Sequence, residues 1–172
     1  MRSGYFVLAW PARFLRQPDG HILVRFPDLP EAVTEGEDVA DARLQAVDCL
    51  AEAIAGRIND HEPLPPPAAL PGAEAVALEP VLAYKAALYA AMRTSGTTRI
   101  GLAKRLGIDE KDVRRLLDPR HRGSRLPRLI EALAACGVNV GVALTGAGAV
   151  ERVFGPATQT RPSPTDLMET VG

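Results

Sequence analysis

The sequence predicts an α+β fold, with an N-terminal β-β-β-α-β unit over residues 1–79, a helical unit over 80–145 and a tail over 146–172. Three observations predict it. Strand-like runs separated by Pro/Gly turns fill the first part of the chain, a single long helical periodicity follows Asp38, and from Val81 the spacing is helical until one short alternating run.

Tyr5-Phe6-Val7-Leu8-Ala9-Trp10 is rich enough in β-branched and aromatic residues for a first strand. His21–Phe26 alternates Ile22, Val24 and Phe26 against His21, Leu23 and Arg25 for a second. Between them, Gln17-Pro18-Asp19-Gly20 turns the chain, because Pro presets φ and Gly accepts a positive one, so the two runs form an antiparallel hairpin. The two prolines of Phe26-Pro27-Asp28-Leu29-Pro30 lack the N–H that a central strand needs, which leaves Ala32-Val33-Thr34 as a short third strand. Asp38 then caps a helix of about twenty residues, with an apolar stripe of Val39, Ala42, Ala46, Leu50, Ala53 and Ile54 widened by Val47 and Ile58.

Five prolines between His61 and Pro71 stop that helix, and Ala75-Val76-Ala77-Leu78 returns as a fourth strand. Helices follow at Val81–Arg93, where Leu82, Ala86 and Tyr89 share a face, and at Thr98–Leu106, Glu110–Leu117 and Leu126–Cys136. Val138–Leu144 alternates strictly, as a half-buried strand does, yet no other strand is near it in sequence. Its own copy in a second subunit is the simplest partner, so Val138, Val140, Val142 and Leu144 are expected to build a homodimer, which can pair again into a dimer of dimers.

With 172 residues, 47% hydrophobic and 24% charged, the chain is too apolar to stay disordered. Its net charge of −1 hides a division: residues 1–65 carry six Lys/Arg against eleven Asp/Glu, whereas residues 81–128 carry twelve against four. An acidic unit joined to a basic one points to two kinds of partner. Cys49 and Cys136 sit in apolar periodic stretches without ligand spacing and are expected to be buried thiols. No run approaches the ~18 apolar residues of a membrane span, no signal-peptide core follows Met1, and His21, His61 and His121 are scattered. The expectation is a cytoplasmic protein with no membrane partner, no metal and no cofactor.

Within the basic unit, Ile100 to Leu117 has the layout of a helix-turn-helix. Small Ala103 lets two helices cross closely, Gly107 permits the turn, Ile108 and Val113 plug the gap, and Leu116 and Leu117 seat the second helix. Such a unit puts Glu110, Lys111, Arg114 and Arg115 toward the major groove and Arg99 and Lys104 near phosphates, with Arg120 and Arg122 in the basic loop that follows. Asp109, Glu110 and Asp112 oppose phosphate, unless Glu110 accepts from a cytosine amino group or Asp109 only caps the helix.

Asp19-Gly20, Phe26-Pro27-Asp28-Leu29-Pro30, Thr34-Glu35-Gly36, an Ala-rich helix and Leu64-Pro65-Pro66-Pro67 together resemble the HicB antitoxin family, and Leu117-Asp118-Pro119-Arg120-His121-Arg122 resembles its branch with a helix-turn-helix. The resemblance implies a partial ribonuclease H-like first domain that binds and blocks a HicA-type messenger-RNA-cleaving toxin. It implies a C-terminal domain that dimerises and binds the operator DNA of its own operon. Acidic residues after the second and third strands would meet the basic toxin, so toxin contact is expected at Asp28, Leu29, Glu31, Glu35 and Glu37.

An enzyme is the first rival, since ribonuclease H-like folds can hold Mg²⁺ between carboxylates on adjacent strands. Here the strand interiors are apolar and the acids lie in turns and on the helix, and no His sits in a nucleophile context, so no catalytic residue is expected. The second rival is a stand-alone helix-turn-helix regulator whose first unit binds a ligand or only oligomerises.

Overall fold

The computed structural model describes residues 8–140. Four strands and five helices run in the order β1 (Ala9–Arg16), β2 (Ile22–Phe26), β3 (Leu29–Gly36), α1 (Val39–Asn59), β4 (Glu74–Ala77), α2 (Pro80–Ser95), α3 (Arg99–Leu106), α4 (Glu110–Leu117) and α5 (Leu126–Ala135). The fold is α+β. The sheet has the order β3-β2-β1-β4, every neighbour antiparallel.

The first hairpin closes as its turn chemistry dictates. Gly20 N–H donates to the Gln17 carbonyl at 3.0 Å, Asp19 accepts from the His21 N–H at 3.1 Å, and Gly20 has φ +94°. The first strand lies later than the aromatic run: it starts at Ala9 and continues through Pro11 to Arg16. Tyr5, Phe6 and Val7 are outside the described residues. β1 divides its partners, with Ala9–Ala12 paired to β4 and Arg13–Arg16 paired to β2. Pro11 falls in the half that faces β4, which is how a residue without an N–H is accommodated away from the β2 ladder.

The third strand is also longer than its apolar centre, spanning Leu29–Gly36 with Pro30 inside it. β3 is an edge, where a missing donor costs little. A register shift between Arg25 and Phe26 absorbs the Pro27-Asp28 turn. Gly36 has a steric reason to be glycine: a Cβ there would stand 2.3 Å from the Ala42 nitrogen, so β3 and α1 touch backbone to backbone.

Asp38 caps α1 by accepting from the N–H groups of Ala40 (2.8 Å) and Asp41 (2.9 Å). Ala42, Ala46, Leu50, Ile54, Ala55 and Ile58 are buried against the sheet, whereas Val39 and Val47, which the spacing assigns to the stripe, are exposed. The small Ala42 and Ala46 let the helix lie close to β3, where Gly36 meets the Ala42 backbone. Each fully buried Leu or Ile contributes about 1.5–3 kcal/mol. Arg43 on α1 grips Glu74 on β4 through two of its guanidinium nitrogens, Nε and Nη2, at 2.8 and 3.0 Å. Trp10, buried on β1, donates to the Pro65 carbonyl at 3.1 Å and so fastens the proline-rich segment to the sheet.

Two cores result, and α2 belongs to both. Ala83, Ala86 and Tyr89 join the sheet core with Trp10, Phe26, Leu29 and Leu50. Ala87, Leu88, Ala91 and Met92 join Leu102, Val113, Leu116, Leu129 and Leu133 in the helical core. Cys49 and Cys136 are free, half-buried thiols whose pKa values burial pushes up. Among the described residues no helix is long and apolar enough to cross a membrane.

Candidate functional site

α3 and α4 are each eight residues long and joined by Gly107-Ile108-Asp109. Thr98 caps α3 by accepting from the Gly101 N–H at 3.0 Å, and Gly107 ends it with φ +62°, a conformation that favours glycine. Ala103 and Val113 are buried where the two helices meet, and Leu116 is buried beneath α4. Leu117 packs against both cores. Asp109 occupies the N-cap position of α4, yet its side chain makes no cap hydrogen bond.

This packing leaves one charged surface outward. Lys104, Lys111, Arg114 and Arg115 are exposed, and Glu110 is half-buried at the start of α4. The acids that oppose phosphate are partly answered within the surface itself: Glu110 lies 3.6 Å from Arg99, and Asp112 lies 3.1 Å from Arg115 one turn on. Such exposed pairs are worth about 0–1 kcal/mol and separate readily for a stronger partner. Among the described residues Lys104, Lys111 and Arg114 form no ion pair. Arg120 and Arg122 are exposed after α4, with Arg120 reaching Glu52 on α1 at 3.6 Å.

What fixes α4 is a residue the sequence reading passed over. Lys85 on α2 is fully buried, and its ammonium donates to the carbonyls of Arg115 (3.2 Å), Asp118 (2.5 Å) and His121 (2.7 Å). It thereby satisfies one carbonyl in the last turn of α4, that of Arg115, and ties the C-cap Asp118 and the loop residue His121 to α2, beside Arg120 and Arg122. Burial lowers the Lys85 pKa, and the charge of Asp118 opposes that shift. The signal was present in the sequence, since Lys85 falls on the same helical face as the apolar Leu82 and Tyr89.

The acidic group on the sheet side is less free than its charge count implies. Leu29 is fully buried in the sheet core, so its side chain offers no surface. Asp28 accepts from the Ala68 N–H at 2.9 Å, and Glu31 accepts from Arg57, which also donates to the Pro63 carbonyl at 3.1 Å. Arg57 lowers the Glu31 pKa, more than burial raises it. Glu35 and Glu37 are exposed. Beside Glu35, the register places Arg13 directly opposite Arg25 and Leu15 opposite Leu23, with Arg25 in turn opposite Val33. Arg13, Leu15, Arg25 and Val33 are all exposed, so this sheet surface is mixed basic and apolar rather than acidic.

Val138 and Val140 lie outside regular secondary structure and pack, half-buried, against the helical core. Val142 and Leu144 are outside the described residues. Among the described residues no group of three or more His, Cys, Asp or Glu is arranged to hold a metal ion.

Comparison with known proteins places this arrangement. Residues 9–87 match the family model described as HicB_like antitoxin of bacterial toxin-antitoxin system, which spans the whole sheet unit and the first half of α2. The chain is 32% identical over 114 residues to Antitoxin HicB 1 of Photorhabdus laumondii, covering 66% of this chain and 73% of that protein. It is 33% identical over 115 residues to Antitoxin HicB of Escherichia coli, covering 66% and 83% respectively. Antitoxin HicB 2 of Photorhabdus laumondii is 28% identical over 130 residues, 76% of this chain and 91% of its own. The four-stranded antiparallel sheet with its single covering helix is therefore the family's matched region, and the chain belongs to the HicB antitoxin family.

Proposed function

We propose that the protein is an antitoxin that acts by binding and not by catalysis. Its sheet unit, residues 1–79, covers the working face of a HicA-type RNA-cleaving toxin, and residues 80–145 repress its own operon by binding operator DNA. The observation that carries the first part is the match of residues 9–87 to a family described by its antitoxin role. Exposed Glu35 and Glu37 supply negative charge for a basic partner, and the Arg13 and Arg25 pair with Leu15 and Val33 supplies a second type of contact beside it.

The α3 and α4 pair supports the second part. Its short turn at a left-handed glycine and its exposed Lys111, Arg114 and Arg115 are what a helix-turn-helix presents to a major groove. In that reading Arg99 and Lys104 meet phosphates, as do Arg120 and Arg122. Homodimers form through Val138, Val140, Val142 and Leu144, which doubles the reading unit on a palindromic operator, and pairs of dimers extend it further.

Coexpression with the small reading frame beside its gene tests the proposal. A stable complex that purifies together, and in which the partner no longer cleaves RNA, is expected. A partner that stays free and active in the presence of excess protein would overturn the antitoxin role.

A further inference from the structure

The end of α1, the last turns of α2, the start of α3 and the second half of α4 enclose a cleft of about 810 Å³. Met92 and Leu117 contribute apolar lining, while Arg93, Arg99 and Arg114 bring three guanidinium groups to it. Asp118 is the one carboxylate among the described lining residues, and its side chain already accepts from the Arg120 N–H at 2.9 Å. Among the described residues Arg99 has only Glu110 at 3.6 Å to balance it. Three cations gathered in one cleft with so little compensation attract an anion.

Arg93 is held ready for one. Its Nη1 donates to the His61 carbonyl at 2.9 Å and to the Tyr89 hydroxyl at 3.3 Å, and its guanidinium centre lies 5.6 Å from the centroid of the Tyr89 ring. The Tyr89 hydroxyl is anchored in turn by donating to the Glu62 carbonyl at 2.7 Å. His61 takes φ +59°, an uncommon conformation for a side-chain-bearing residue, at the point where its carbonyl meets Arg93. Nε and Nη2 of Arg93 have no partner among the described residues. A fork fixed in this way loses little freedom on binding and matches phosphate geometry.

The combination selects the ligand class. A bare anion needs the arginines alone, whereas an apolar floor beside a cationic rim fits a deoxyribose with its phosphate. We propose that the cleft takes the sugar–phosphate backbone of bound DNA, with Arg93 as a phosphate-contacting side chain from outside the α3 and α4 pair. The sheet unit then shares in DNA binding, because the end of α1 and His61 form one wall. This inference rests on the DNA-binding reading above.

The salt dependence of binding to mixed-sequence duplex DNA, measured on the full chain, tests it. R93Q should lower the slope of log K against log salt by about 0.9, the effect of one lost phosphate contact, while R93K should keep the wild-type slope. An unchanged slope in R93Q would overturn the proposal, and so would equal losses in R93Q and R93K, which would make Arg93 a structural residue. Wild-type protein that binds no duplex would sink the DNA-binding reading and this inference together, whereas binding with an unaltered R93Q slope sinks the inference alone. Inorganic phosphate that binds wild type but not R93Q, while both proteins bind duplex with the same salt slope, would make the cleft a site for free phosphate, and the assignment to DNA would fail.

Discussion

Lys85 on α2 and Asp118 at the end of α4 are joined by a buried ammonium–carbonyl hydrogen bond of 2.5 Å, one of three that this lysine makes to the main chain. A single side chain from the shared helix thus ties the last turn of α4 and the loop after it to α2.

Lys85→Met should therefore destabilise the protein by about 1–2 kcal/mol. The His121 carbonyl loses its one donor among the described residues, whereas the Asp118 carbonyl keeps the His121 N–H at 3.2 Å and the Arg115 carbonyl keeps the Ser124 hydroxyl at 3.5 Å, and the relief of burying one charge offsets part of the loss. Chemical denaturation measures the change, and a loss below about 0.5 kcal/mol would mean that other groups already satisfy those carbonyls.

Gly36→Ala should cost roughly 2–4 kcal/mol, because the added methyl meets the Ala42 backbone and not a side chain that can turn away. The melting temperature reads this directly. A variant as stable as wild type would show that β3 and α1 can part without loss.

Glu31 and Arg57 set an acid limit. Hydrogen bonding to Arg57 lowers the Glu31 pKa in the folded state, so the pair's contribution is fully present above the unfolded carboxylate's value and is lost as pH falls through the folded one. Because the Glu31 side chain is 43% exposed, that contribution is only about 1 kcal/mol or less. Glu31→Gln should be slightly less stable than wild type at neutral pH, and the difference should close on acidification. A difference independent of pH would assign the stabilisation to something other than the charge.

Arg114→Ala combined with Arg115→Ala should weaken operator binding while leaving toxin neutralisation intact, whereas Lys104→Ala should flatten its salt dependence by about 0.9 for the one phosphate contact removed. Gel shift assays and an RNA-cleavage assay on the same preparations separate the two functions. Joint loss with the fold preserved would show that the sheet and helical units do not act separately.

Local chemistry made most of the fold legible. Asp38 caps where its side chain predicts, Gln17-Pro18-Asp19-Gly20 turns the first hairpin, and α4 has the bounds its periodicity gives. The misplacements share a cause: tertiary pairing supplied what local composition did not. β1 extends through Pro11 to Arg16 because β2 and β4 divide it between them, and β3 includes Pro30 because an edge tolerates it. At the candidate site, exposure of Arg114 and Arg115 was readable from helical spacing, but the burial of Leu29 was not, since a Pro-Asp-Leu-Pro run looks like a loop. Spacing places Lys85 on the apolar face of α2 but not its carbonyl partners, and Arg57 and Arg93 were missed because their partners are distant in sequence or main-chain carbonyls, which no spacing rule reveals.

The sharing of α2 between two cores bears on how the protein is dismantled. A cut between residues 79 and 80 would strip Ala83, Ala86 and Tyr89 from the first core, so the boundary that sequence composition marks is not one at which the folded chain comes apart. Opening either core disturbs the helix on which the other rests, which couples both to one cooperative transition. A protease that captures either half in its opened state would remove the proposed protein-binding and DNA-binding surfaces in a single event, so the lifetime of both would be one number.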